Sequence, residues 1–193
     1  AGTITGGGAA VEQCIPTPIE TEVSGPAAKA SGGSYTVPAN THSHPNWVFT
    51  KPGTYKATIT QTAKLKSGKR VQATGTLTFN VGGSGNADSG HFDIGSVLEG
   101  DKLMFKVKDD RTQPAKWVDP GSLVFGLSDA SKATAPAGLE FIAPKGSQIW
   151  MISSAAVPGV PWVGANTQHP SIVSGTTGEV TWSLSSVTGP GQL

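Results

Sequence analysis

Four histidines stand in the 193 residues, and two of them are one residue apart in Thr41-His42-Ser43-His44-Pro45-Asn46-Trp47. In an extended chain, residues i and i+2 point the same way, so His42 and His44 can aim two imidazoles at one point. Imidazole nitrogen binds first-row metals at about 2 Å, so the spacing suits a divalent cation. His91-Phe92-Asp93 repeats the pattern with a carboxylate in the second place. If these strand ends meet, they form a His/His/His set with Asp93 as ligand or as the partner that orients one. His169, in Thr-Gln-His-Pro, is a further candidate ligand. The competing reading is polar residues on a strand rim, with Pro45 ending regular pairing directly after His44. Spacing alone leaves both open.

Other chemistry is thinly represented. There is no Ser-His-Asp signature, no G-x-S-x-G elbow and no glycine loop set between a strand and a helix. Asp109, Asp110 and Asp119 fall in or near one loop, but nothing sets their pKa values apart as paired acid–base chemistry needs. The expectation is a non-enzyme. Trp150 and Trp182 lie in apolar strands and read as core. Trp117 and Trp162 lie in loops, where a ring either anchors the loop or contacts a glycan or a partner.

Composition narrows the class. Hydrophobic residues make up 36% and charged residues 14%, with net charge +1. That balance lacks the basic stripe a nucleic-acid partner needs. Lys64, Lys66, Lys69 and Arg70 surround Ser67-Gly68 and read as solvated charges at a hairpin tip. The single cysteine, Cys14, either pairs outside this stretch or remains a thiol. Few cysteines with abundant Thr, Gly and Pro fit an exported protein. No apolar run approaches membrane-spanning length, so any signal and anchor are expected outside the stretch, with no direct membrane insertion by it.

Twenty-six glycines and 14 prolines favour short strands and turns over long helices. From Thr54, and again from Arg70 to Val81, apolar and polar residues alternate with period two around Lys66-Ser67-Gly68-Lys69. This predicts an antiparallel hairpin within 47–81. Pro52-Gly53 leading into Tyr55 is the setting of a tyrosine corner. Further strands are expected at 91–98, 102–108, 122–127, 148–152 and 179–187, with loops at 110–121 and 155–178 and one helical turn within 129–135. The fold class is all-β, an immunoglobulin-like antiparallel β-sandwich with long Pro/Gly-rich loops. Residues 1–33 read as a flexible N-terminal segment with an edge strand near Cys14. Residues 34–81 form the hairpin part, 82–90 a Gly/Ser-rich linker and 91–193 the second β-rich part.

Two stretches carry a resemblance. His42-Ser43-His44-Pro45-Asn46-Trp47-Val48-Phe49-Thr50-Lys51-Pro52-Gly53-Thr54-Tyr55 resembles the H-x-H-x-N-W-x-F-x-x-P-G-T-Y signature of the actinobacterial surface-anchored repeat domain. His91-Phe92-Asp93-Ile94-Gly95, Lys108-Asp109-Asp110, Trp117-Val118-Asp119-Pro120, Trp150-Met151, Asn166-Thr167 and Val180-Thr181-Trp182-Ser183-Leu184 resemble the preceding part of the same modules. These occur in proteins described as choice-of-anchor M. The likeness covers roughly 34–81 and 90–193. It implies an extracellular, cell-envelope-anchored actinobacterial protein with a divalent metal, zinc or manganese, and a role in surface metal acquisition. It also implies a partner such as the substrate-binding protein of a metal ABC transporter or another surface protein. His42, His44, His91 and Asp93 are the positions it carries over. In that family the H-x-D part comes first; the reversed order here reads either as the tail of one module followed by the head of the next, which would put the two motifs in different sites, or as a rearranged module. A structural or adhesive display repeat without metal, and a glycan-binding module using Trp117 and Trp162, are the alternatives.

Overall fold

The computed structural model describes residues 28–30 and 33–193. Cys14 and the edge strand expected beside it lie outside the described residues. The strands are β1 (Ala28–Ala30), β2 (Ser34–Val37), β3 (His42–Ser43), β4 (Trp47–Phe49), β5 (Gly53–Leu65), β6 (Arg70–Val81) and β7 (Gly90–Glu99). They continue with β8 (Lys102–Asp109), β9 (Lys116–Val118), β10 (Val124–Leu127), β11 (Lys132–Thr134), β12 (Gln148–Ile152), β13 (Pro161–Asn166) and β14 (Thr176–Gly189). Among the described residues helix is confined to α1 (Pro170–Gly175) and two single 3-10 turns, one of them at Asp129–Ser131.

The fold is an all-β sandwich. One sheet has the order β1-β14-β5-β6-β10, with β2 also paired to β14; the second runs β3-β13-β7-β8-β9; a third, small sheet runs β11-β12-β4. Pairing is antiparallel except for β10 on β6 and β13 on β7, which are parallel. Alternation in β5 and β6 sends Tyr55, Ala57, Leu77 and Phe79 inward against Phe92, Ile94 and Val107 of the second sheet, all at most 1% exposed. Burying side chains of this size contributes about 1.5–3 kcal/mol each. The sheets approach so closely that Gly75 lies directly on the Phe105 ring, where any Cβ would collide. The tyrosine corner forms as expected: Tyr55 is fully buried and its hydroxyl donates to the Lys51 carbonyl at 2.8 Å.

Residues 34–81 and 91–193, both read from the sequence as parts of one sandwich, interleave strand by strand. β4 pairs with β12, β5 with β14 and β3 with β13, so 34–81 and 91–193 share all three sheets. Residues 82–90 are not a free joint. Ala87 is fully buried, its N–H donates to the Val124 carbonyl at 3.1 Å, and Arg111 donates to the Asn86 carbonyl at 2.6 Å. Ala28–Ala30, within the stretch read as flexible, pairs with Val187–Gly189. The expected loop at 155–178 contains β13 and α1. β13 is buried along almost its whole length, so it lacks the alternation that marks a one-sided strand.

Candidate metal centre

The centre is built on one face of the second sheet. In the parallel register of β7 and β13, Trp162 lies beside His91, Gly164 beside Asp93 and Asn166 beside Gly95. On the far side of β13, β3 sets His42 beside Asn166. Phe92, Ile94 and Val163 point into the core, which turns His91, Asp93 and Gly164 to the opposite face. His44 follows β3 and lies over Gly164. A Cβ at Gly164 would sit 2.7 Å from both Asp93 Oδ1 and His44 Cε1, so only glycine leaves room for these two groups. Asn46 and Trp47 fix the segment beyond: Asn46 Oδ1 accepts from Ser154 N at 2.7 Å, and Trp47 Nε1 donates to the Val163 carbonyl at 3.2 Å.

Three Nε2 atoms and one carboxylate oxygen converge. His42 Nε2 is 3.0 Å from His44 Nε2 and 3.2 Å from His91 Nε2, which lie 3.1 Å apart. Asp93 Oδ1 is 2.9, 3.1 and 3.7 Å from His42, His91 and His44 respectively. These six distances are the edges of a slightly distorted tetrahedron. With edges averaging about 3.2 Å, its centre lies about 1.9 Å from each corner, close to zinc–nitrogen and zinc–oxygen bond lengths. A nitrogen that donates a proton to one neighbour cannot satisfy the other two contacts. A cation at the centre satisfies all four donors together. The cluster of His42, His44, His91 and Asp93 is thus able to hold a metal ion.

Outer contacts orient the donors. Asp93 is fully buried, and its Oδ2 accepts from Asn166 Nδ2 at 3.0 Å, which leaves Oδ1 for the centre. His91 Nδ1 lies 2.8 Å from Asp110 Oδ2, and Lys108 Nζ is 2.8 Å from the same carboxylate. Donation from Nδ1 to Asp110 leaves the Nε2 lone pair free, the tautomer that binds metal. His44 is stacked on Trp162 with centroids 3.6 Å apart and planes 11° from parallel. Burial lowers the His44 pKa from 6.5 to about 4, outweighing the opposite pull of Asp93; His42 and His91 lower it further. Its Nδ1 is buried without a hydrogen-bond partner, so Nε2 carries the polar work of the ring.

The sequence-based candidates divide cleanly. His42, His44, His91 and Asp93 come together, and the reversed order of the two motifs does not place them in different sites. His169 stands apart from the cluster. It caps α1, accepting from Ser171 N at 3.2 Å, and meets Trp117 edge-on with centroids 5.0 Å apart. Burial lowers its pKa. Trp117 lies over Gly95 and Trp162 over His44, so both rings are packed against residues of this face. Trp162 also borders a groove of about 450 Å³ with His91, Val157, Pro158 and Val160. Gly164, Asn166 and Asp110 were missed as site residues. Asp110 and Asn166 fall inside the stretches that carry the family resemblance, which was the available signal. Comparison with protein-family models, with curated proteins and with solved structures returned no match to this chain.

Proposed function

We propose that the chain is a non-enzymatic, extracellular metal-binding β-sandwich that holds one zinc ion through His42, His44, His91 and Asp93. The observation that carries this reading is the set of six donor–donor distances, 2.9–3.7 Å. Three imidazoles and one carboxylate at tetrahedral spacing suit zinc; manganese favours more oxygen donors and six-fold coordination. Four protein donors fill the zinc shell, whereas catalytic zinc sites keep a position for water. That favours holding a metal over hydrolysis. The resemblance to surface-anchored repeat and choice-of-anchor M modules supports a place on an actinobacterial envelope and a role in metal acquisition, with a transporter's substrate-binding protein as partner. Among the described residues no helix is long and apolar enough to cross a membrane.

Zinc titration calorimetry tests this reading. Wild-type protein is expected to bind one zinc per chain, and His42→Ala/His44→Ala to lose that heat. Negligible heats for both proteins would contradict it. A second reading, a structural or adhesive display repeat, draws on the outer face of the first sheet. Threonines there pair across strands, Thr58 with Thr76 and Thr60 with Thr74, each at 2.9 Å.

A further inference from the structure

The four donors are not held alike. Asp93 is fully buried and tied to Asn166, and His91 is tied to Asp110. The His44 side chain is only 7% exposed and lies under Trp162. The His42 side chain is 35% exposed and belongs to a strand of two residues. Among the described residues its ring makes hydrogen bonds to His44, His91 and Asp93 alone. Three donors therefore form a supported pocket, and the fourth closes it from the solvent side.

We infer that His42 is the exchange position of the centre, where an incoming donor displaces it before the metal leaves. This rests on the metal-binding reading above. The incoming lone pair forms a bond to the cation while the His42 Nε2–metal bond breaks. No oxidation state changes, and a thiol donor releases its proton to solvent. The acceptor this geometry fits is a second protein that presents a histidine or cysteine side chain to the exposed edge of the site. His44, His91 and Asp93 retain the ion until that bond is made. Direct substitution of this kind lets a tightly held ion pass on without first entering solution.

Zinc-loaded wild-type protein mixed with excess chromogenic chelator in a stopped-flow instrument provides the test. The release rate is expected to rise in proportion to chelator concentration. His42→Ala is expected to retain zinc at micromolar concentration but to release it on the order of tenfold faster at equal chelator, whereas His91→Ala fails to retain it. Free imidazole added to cobalt-loaded His42→Ala is expected to shift the visible absorption bands by occupying the opened position. A chelator-independent rate in loaded wild-type protein overturns the inference and leaves the metal reading standing. So does a His91→Ala variant that retains metal better than His42→Ala. Wild-type protein that does not load zinc overturns both.

Discussion

Asp93 decides the chemistry of the centre, because it brings the one carboxylate oxygen among the four converging donors. Its burial is tolerable only with both oxygens engaged, one by Asn166 and one by the cluster. Asn166→Ala and Asp110→Ala each remove an orienting contact without removing a ligand. Each is expected to weaken zinc affinity by ~10–100-fold in competition titrations. Gly164→Ala puts a methyl group 2.7 Å from Asp93 Oδ1 and His44 Cε1. It should abolish tight zinc binding while the far-ultraviolet circular dichroism spectrum is unchanged. His44 also sets a pH dependence. Its folded-state pKa is lowered from 6.5 to about 4, so the unfolded chain binds the proton more readily. Metal-free protein therefore loses stability as pH falls from about 6.5 toward 4, and this contribution is present in full above that window. Urea midpoints measured across that range should fall with pH, and less steeply in His44→Gln.

The elements that position these residues differ in how plainly the chain announces them. The β5–β6 hairpin is legible because one face is core and the other solvent, which imposes alternation on Tyr55–Ile59 and Val71–Val81. Tyr55→Phe removes the bond to Lys51 and is expected to cost about 1 kcal/mol in chemical denaturation, with more if the carbonyl stays unpaired. β13 was not legible. Pro161-Trp162-Val163-Gly164-Ala165-Asn166 is covered on both faces, so its pattern resembles neither an exposed strand nor a helix. The site followed the same rule. Two i, i+2 pairs, His42/His44 and His91/Asp93, announced the four converging donors through strand periodicity. Gly164 and Asn166 depend on the parallel register of β13 with β7, a long-range pairing with no local signature. His169 was drawn in by residue type alone; its local sequence, His-Pro-Ser, makes it a helix cap instead.

At the scale of the whole molecule, the centre ties β3 and the residue after it to β7, residues 42–44 to 91–93. A metal there would act as a cross-link between two strands that the second sheet joins only through β13. Zinc at about 1000 times its dissociation constant should add about 4 kcal/mol and raise the melting temperature by on the order of 10 °C. Chelator should reverse the shift in calorimetry. The display-repeat reading expects no such change. Gly75→Ala, which forces a methyl against Phe105, should destabilise the sandwich by about 1–3 kcal/mol without altering the zinc stoichiometry.

X-ray absorption spectroscopy of the wild-type protein after zinc loading and desalting tests the central claim most directly. One retained zinc per chain, with four nitrogen or oxygen neighbours at about 2.0 Å and outer-shell scattering from three imidazoles, is the result the geometry predicts. Protein that emerges without zinc, or with zinc in a six-coordinate oxygen shell lacking imidazole scattering, would contradict it.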